Sequence, residues 1–166
     1  MAGGIVATVP LPGNSNIAVD VNPTTNRIYT SGGASGGQTI TVIDGHTNTV
    51  LSQGTLTGSY AHVNPTTNRF YAGQLSPSSI LVYDGATNSL LTGISVSGCA
   101  IEAVTDPSNN RVYGAAQCGG GNDPVFIIDG ATNTLLQTVG SGGVMGSIIV
   151  NPATHNIYLN ASGVTK

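Results

Sequence analysis

Short apolar runs separated by turn residues recur along the whole chain, and no segment keeps a helical period over ten residues. The first run, Ile17-Ala-Val-Asp-Val21, is mostly apolar, as a strand buried on both faces should be. Arg27-Ile-Tyr-Thr30 and Thr39-Ile-Thr-Val-Ile43 read as two more strands, and Thr49-Val-Leu-Ser52 opens a fourth. Between the first two lies Asn22-Pro-Thr-Thr-Asn26, a turn in which Pro presets φ and Asn tolerates left-handed dihedrals. A glycine-rich loop joins the second strand to the third. Asp44-Gly-His-Thr-Asn48 then closes a hairpin, Asp-Gly being the strongest short turn signal. The unit is a four-stranded antiparallel meander, with strands a, b, c and d.

The unit is written again and again. Asn22-Pro-Thr-Thr-Asn-Arg-Ile-Tyr29 returns as Asn64-Pro-Thr-Thr-Asn-Arg-Phe-Tyr71, Asp106-Pro-Ser-Asn-Asn-Arg-Val-Tyr113 and Asn151-Pro-Ala-Thr-His-Asn-Ile-Tyr158, with starts 42, 42 and 45 residues apart. The hairpin phrase returns as Val82-Tyr-Asp-Gly-Ala-Thr-Asn-Ser-Leu90 and Ile127-Ile-Asp-Gly-Ala-Thr-Asn-Thr-Leu135. A period of this length, built from strands and turns, predicts an all-β chain of the β-propeller class with one blade per repeat. Blades fall roughly at 12–54, 55–96, 97–140 and 141–166, the last holding only strands a (Gly146–Val150) and b (Ile157–Asn160).

These units resemble the YVTN-type β-propeller repeat, the family of microbial surface-layer and lyase-like propellers. The hairpin phrase, the Asn-Pro turn one strand later and the Arg-aliphatic-Tyr strand carry the resemblance over nearly the whole chain. The chain departs from it in writing Asn-Pro-Thr-Thr-Asn-Arg where that family often has a Ser-Pro-Asp-Gly-type turn. The resemblance implies the fold and little about activity, because propellers host binding modules and enzymes alike.

Counting strands gives three complete blades and a partial fourth. Gly4-Ile-Val-Ala-Thr-Val-Pro-Leu11 precedes the first strand a and reads as an outer strand d. It is expected to complete the fourth blade, either of its own chain, as a small four-bladed ring, or of a neighbouring copy. With no Trp and two Phe to fill wide wedges between blades, the second arrangement is favoured, most simply as a dimer with eight blades. A fragment of a longer propeller would read the same way.

Charge is scarce: four Lys and Arg against seven Asp and Glu, net −3. No basic stripe offers itself to nucleic acid, and no apolar run reaches the roughly 20 residues that span a bilayer. The low lysine content suits a secreted or cell-surface protein, although no signal peptide is visible. The charges that follow the repeat suggest structural ion pairs, since the a–b and c–d turns share one face. Arg27–Asp44, Arg69–Asp84 and Arg111–Asp129 are the expected contacts, fixing register rather than doing chemistry.

The charges outside the repeat carry the candidate chemistry. Asp20 and His62 occupy one slot, two residues before the Asn-Pro turn, and Glu102 lies on the next strand a. Ionisable groups on innermost strands are costly unless paired, hydrated or bound to a cation. Asp20, His62 and Glu102 are therefore candidate ligands for a divalent cation, Ca²⁺ first. His62 and Glu102 are candidate catalytic groups, His62 as general base. The plain alternative is that neighbouring blades or channel water satisfy each one locally. Tyr60, beside His62, and Asp123, in the glycine-rich third-blade loop, are candidate ligand contacts on the opposite, top face. His46 and His155 replace an Ala and a turn Asn of sister repeats and receive no role. Cys99 and Cys118 flank the top of blade three, where a disulfide closing about 20 residues would contribute roughly 3 kcal/mol; two free thiols are the alternative.

Two functions follow. One is a binding or scaffold module that takes a small-molecule or protein ligand at the channel mouth. The other is a divalent-metal-dependent hydrolase or lyase (esterase, lactonase or phosphotriesterase type), which no nucleophile elbow, metalloprotease helix or phosphate loop corroborates.

Overall fold

The structure is a computed structural model, and it describes residues 4–11, 16–32, 38–118 and 121–162. Among these there are fourteen strands and no helix. β1 (Asn16–Asn22), β2 (Arg27–Gly32), β3 (Thr39–Asp44) and β4 (Thr49–Thr57) form the first antiparallel sheet, in that order. β5 (Ser59–Asn64), β6 (Arg69–Gln74), β7 (Ser79–Asp84) and β8 (Leu90–Ser95) form the second. β9 (Ala100–Asp106), β10 (Arg111–Ala116), β11 (Pro124–Asp129) and β12 (Thr134–Gly140) form the third. The fourth sheet has two strands, β13 (Val144–Asn151) and β14 (Asn156–Ser162). Among the described residues no helix is long and apolar enough to cross a membrane.

Turn chemistry sets this register. In the first turn of each sheet the leading side chain accepts from the backbone inside the turn: Asn22 Oδ1 from Thr24 N–H at 3.0 Å, and Asn64 Oδ1 from Thr66 N–H at 3.0 Å. The closing residue of each turn is left-handed, with φ of 52°, 52°, 54° and 60° at Asn26, Asn68, Asn110 and His155. In the Asp-Gly hairpins the left-handed residue is not the glycine. Asn48, Asn88 and Asn133 take the positive φ instead of the glycine. Gly45 is required by proximity: its N–H donates to Asn26 C=O at 2.8 Å, and a Cβ there would lie 2.6 Å from Asn26 Oδ1. The glycine thus locks the c–d hairpin onto the a–b turn of its own sheet.

Apolar clusters fill the spaces between successive sheets. Tyr29 and Val42 of the first sheet pack on Ala61 and Phe70 of the second. Tyr71 and Val82 pack on Ala103 and Val112 of the third, and Tyr113 on Met145 and Ile148 of the fourth. Phe70 lies 4.6 Å from the Tyr29 ring and stacks on Tyr83 at 4.8 Å. Each such fully buried ring is worth about 1.5–3 kcal/mol. β1, β5, β9 and β13 lie successively side by side, so the first strand of every sheet faces a common line. Each of these strands carries a register irregularity at corresponding places: at Ile17, between Ser59 and His62, at Ile101 and at Gly146. Such bulges bend the strand and re-aim the side chains that follow.

Residues 4–11 depart from expectation. They form no strand and join none of the four sheets, and Ile5 and Val6 are exposed. Among the described residues, closure of the fourth sheet by Gly4–Leu11 is not seen. Gly4–Leu11 is short, carries Pro10 near its end, which removes a ladder donor, and has no ladder partner among the described residues.

Candidate functional site

A cleft of about 680 Å³ runs along the first strands of all four sheets. Its walls are largely apolar, including Val21, Val104, Ile149 and Val150. One row of charge crosses it. Asp20 on β1, His62 on β5 and Glu102 on β9 come together as the repeat spacing implied, one from each successive sheet. His62 Nδ1 is 3.4 Å from Asp20 Oδ2, and His62 Nε2 is 3.7 Å from Glu102 Oε1. Asp20 also accepts from the backbone: Oδ1 from Val21 N–H at 2.8 Å and Oδ2 from Val63 N–H at 2.9 Å. Glu102 is buried.

The electrostatics follow from this sandwich. Burial alone would depress the imidazole, but the carboxylates of Asp20 and then Glu102 outweigh it and hold His62 up at about 9. Burial likewise works to raise Asp20, and the hydrogen bonds from His62, Val63 and Val21 overcome it, leaving the carboxyl below its usual range. At neutral pH His62 is therefore an imidazolium, set between the side chains of Asp20 and Glu102. An imidazole in that state donates and has no lone pair to offer, so His62 is poorly suited to the general-base role expected of it. Among the described residues no three His, Cys, Asp or Glu side chains are grouped to hold a metal ion.

The two candidate ligand contacts lie elsewhere. Tyr60 sits in the β5 bulge with φ of 46°, a left-handed conformation rare for a bulky residue, and it is absent from the cleft lining. Asp123 is buried, not poised on a mobile loop. Its Oδ1 accepts from Cys118 N–H at 3.0 Å and its Oδ2 from Met145 N–H at 2.9 Å, so the carboxylate staples the third sheet's loop to β13. Asp123 is thus buried, held by two backbone donors, and outside the cleft lining.

Nor do the arginines behave uniformly. Arg27 and Asp44 are paired in register, but Arg27 Nη1 donates to the Gly85 and Ala86 carbonyls of the second sheet's hairpin. Arg69 does the same one sheet on, reaching Gly130 C=O at 2.8 Å and Asn133 Oδ1 at 3.4 Å. The expected Arg27–Asp44 and Arg69–Asp84 contacts are thus replaced by bridges between sheets. A guanidinium long enough to reach the next hairpin finds fixed carbonyls there, whereas the hairpin carboxylates are already engaged by backbone N–H groups. Arg111 is the exception: the fourth sheet shows no c–d hairpin, and Arg111 folds onto its own Asp129 at 2.7 Å.

Cys99 and Cys118 are free thiols, not a disulfide. They are neighbours nonetheless. Gln117 N–H donates to Cys99 C=O at 3.0 Å, and the Cys99 thiol beside it, with some burial, pushes the Cys118 thiol up.

One pair escaped sequence reasoning. His155 Nδ1 lies 2.7 Å from Oδ2 of the buried Asp106, which also accepts from Ser108 Oγ at 2.6 Å. Burial would raise Asp106; the Ser108 and His155 bonds outweigh it and hold the carboxyl below its usual range. The signal was present, because two turn asparagines are replaced together, by Asp106 and by His155.

No protein-family model matches the chain, and no curated protein matches it. Solved structures do. The chain is similar to hydrazine synthase from Kuenenia stuttgartiensis over 98% of its own length and 46% of that chain, at 17% identity and TM-score 0.75. It is similar to Saccharomyces cerevisiae Sqt1 over 88% of its length and 42% of that chain, at 14% identity and TM-score 0.68. A chain of a nidogen/laminin complex matches over 90% of this chain and 57% of that one, at 12% identity and TM-score 0.70. The chain thus spans about half the length of the solved chains it matches. At these identities the likeness carries the fold alone, an all-β array of antiparallel sheets.

Proposed function

We propose that the chain is a β-propeller binding module, with repeats of about 42 residues forming three complete blades and part of a fourth. Its repeats resemble the YVTN-type repeat. In this reading β1, β5, β9 and β13 are the innermost strands, and their cleft is part of a central channel that takes a small molecule or a protein segment.

The observation that carries the reading is the composition of that cleft. It has a volume in the range of ligand sites, apolar walls, and a single row holding two carboxylates against one imidazolium. Such a lining favours a ligand with an apolar body and a cationic or hydrogen-bond-donating head. Metal-assisted hydrolysis is the reading supported less, because a Ca²⁺ ion held by Asp20, His62 and Glu102 would have to displace the proton that both carboxylates hold on His62.

The test is nuclear magnetic resonance titration with amphiphilic amines, run beside metal analysis and EDTA-sensitive esterase, lactonase and phosphotriesterase assays. Shifts confined to β1, β5, β9 and β13, weakened in Glu102→Gln, are the expected result. A co-purifying divalent ion whose removal abolishes hydrolysis would replace the binding module by the enzyme.

A further inference from the structure

Each sheet carries the two halves of a sheet-to-sheet interface, and the chain leaves one half open at each end. On the second strands the repeated tyrosine is 0% exposed at Tyr29, 0% at Tyr71 and 8% at Tyr113, but 54% at Tyr158. The first three are covered by the sheet that follows; Tyr158 lies on the last sheet. On the first strands, three residues before each Asn-Pro or Asp-Pro turn, Ala61, Ala103 and Ile148 are 1%, 0% and 4% exposed, but Val19 is 70%. Those three face the preceding sheet; Val19 lies on the first. Terminal repeats of stacked arrays need polar outer faces to remain soluble. Here Val19, Val21, Ile149 and Tyr158 are exposed instead.

A polar series points the same way. Asn22 Nδ2 donates to Asn68 Oδ1 at 2.9 Å, Asn64 Nδ2 to Asn110 Oδ1 at 3.0 Å, and the Asp106–His155 pair continues it at 2.7 Å. Every step joins the leading residue of one turn to the closing residue of the next. The series begins at the closing residue Asn26 and ends at the leading residue Asn151, which is exposed while Asn22, Asn64 and Asp106 are buried.

We infer that the partner is a second copy of this chain, docked head to tail, with the Tyr158 face of each copy covered by the Val19 face of the other and Asn151 meeting the partner copy's Asn26-bearing turn. The established interface is repeated rather than a new one invented. The two faces differ, so the contact is heterologous, and with two copies it closes on itself. Residues 4–11 of each copy, outside its own sheets, then supply a strand to the partner's two-stranded fourth sheet. The inference rests on the propeller reading above.

Light scattering on the full chain tests it, with a mass of about twice 16.6 kDa expected. Tyr158→Asp and Val19→Asp each convert the protein to single chains while the far-ultraviolet spectrum stays that of the folded protein, because both residues are exposed in one copy. Mixing the two variants restores two-chain particles, since one interface of the pair then joins two unmutated faces. A wild-type protein that stays at one chain mass, a particle of another size, variants that leave the mass unchanged, or a mixture that does not recover would each overturn it. A folded single chain that still binds amines in the cleft sinks the ring and spares the binding module. A two-chain ring with no cleft ligand does the reverse.

Discussion

His155 stands where three sister turns carry asparagine, and it meets the one leading residue of the series that cannot donate, Asp106. In the first two steps an amide NH₂ donates forward to an amide oxygen. An ionised carboxylate only accepts, so the polarity reverses and the imidazole Nδ1 must carry the hydrogen. One changed residue thus accounts for the other, and the join between the third and fourth sheets keeps its hydrogen bond.

His155→Ala is expected to destabilise the protein by about 1–3 kcal/mol in urea denaturation, because it leaves a buried carboxylate short of a donor. The double variant Asp106→Asn with His155→Asn rewrites the join in the form used at Asn22–Asn68 and should recover most of that loss. The wild-type join also weakens in acid. Asp106 is held below its ordinary 3.8, so its contribution is complete above that pH and disappears as the pH falls through the lower folded value. Additive losses in the double-mutant cycle would show that the two residues are not coupled.

His62 gives a pH signature of the opposite sign. Its folded value of about 9 exceeds the ordinary 6.5, so the stabilisation from its charged state is complete below about 6.5 and is lost as the pH rises through 9. Nuclear magnetic resonance titration should place the His62 midpoint at about 9. The stability advantage of wild type over His62→Gln should shrink across that window. A midpoint near 6.5 would mean that Asp20 and Glu102 do not clamp the ring.

The arginines should rank by what they reach. Arg27→Ala and Arg69→Ala remove charged donors from carbonyls of the neighbouring sheet, and a loss of about 1.5–3 kcal/mol is expected for each. Arg111→Ala removes a half-exposed contact within one sheet and should shift the urea midpoint least, with an effect that salt diminishes. Equal effects at the three positions would remove the distinction between bridges and surface pairs.

The meander was legible because every turn is written in the same residues: Asn-Pro and Asp-Gly set the register, and β1 to β14 follow the phrases closely. The row Asp20–His62–Glu102 was legible for a related reason, since residues foreign to the repeat on successive first strands fall along one line. What lay between sheets was not. Arg27 adjoins Asp44 in register, yet side-chain reach is decided by the next sheet, whose distance no period reveals. Asp123 sits among glycines and reads as mobile, but its carboxylate is fixed by N–H groups from separate segments. Residues 4–11 have a strand's composition and pair with no sheet edge among the described residues.

The thiols provide a last check on the third sheet. Cys99 and Cys118 are free and adjacent, so diamide or dissolved oxygen should join them within one chain, lowering the mass by two hydrogens and leaving no reactive thiol in an Ellman assay. The neighbouring thiol and burial hold Cys118 above its ordinary 9.0, so little thiolate is present at neutral pH. Bridging should therefore be slow near pH 7 and accelerate as the pH rises. Closing a loop of about 20 residues should then raise stability by roughly 3 kcal/mol over the reduced form, provided the bond introduces little strain. Cys118→Ser should abolish the gain without altering the reduced protein's stability. Disulfide-linked pairs of chains in place of an internal bridge would show that the two thiols do not face each other.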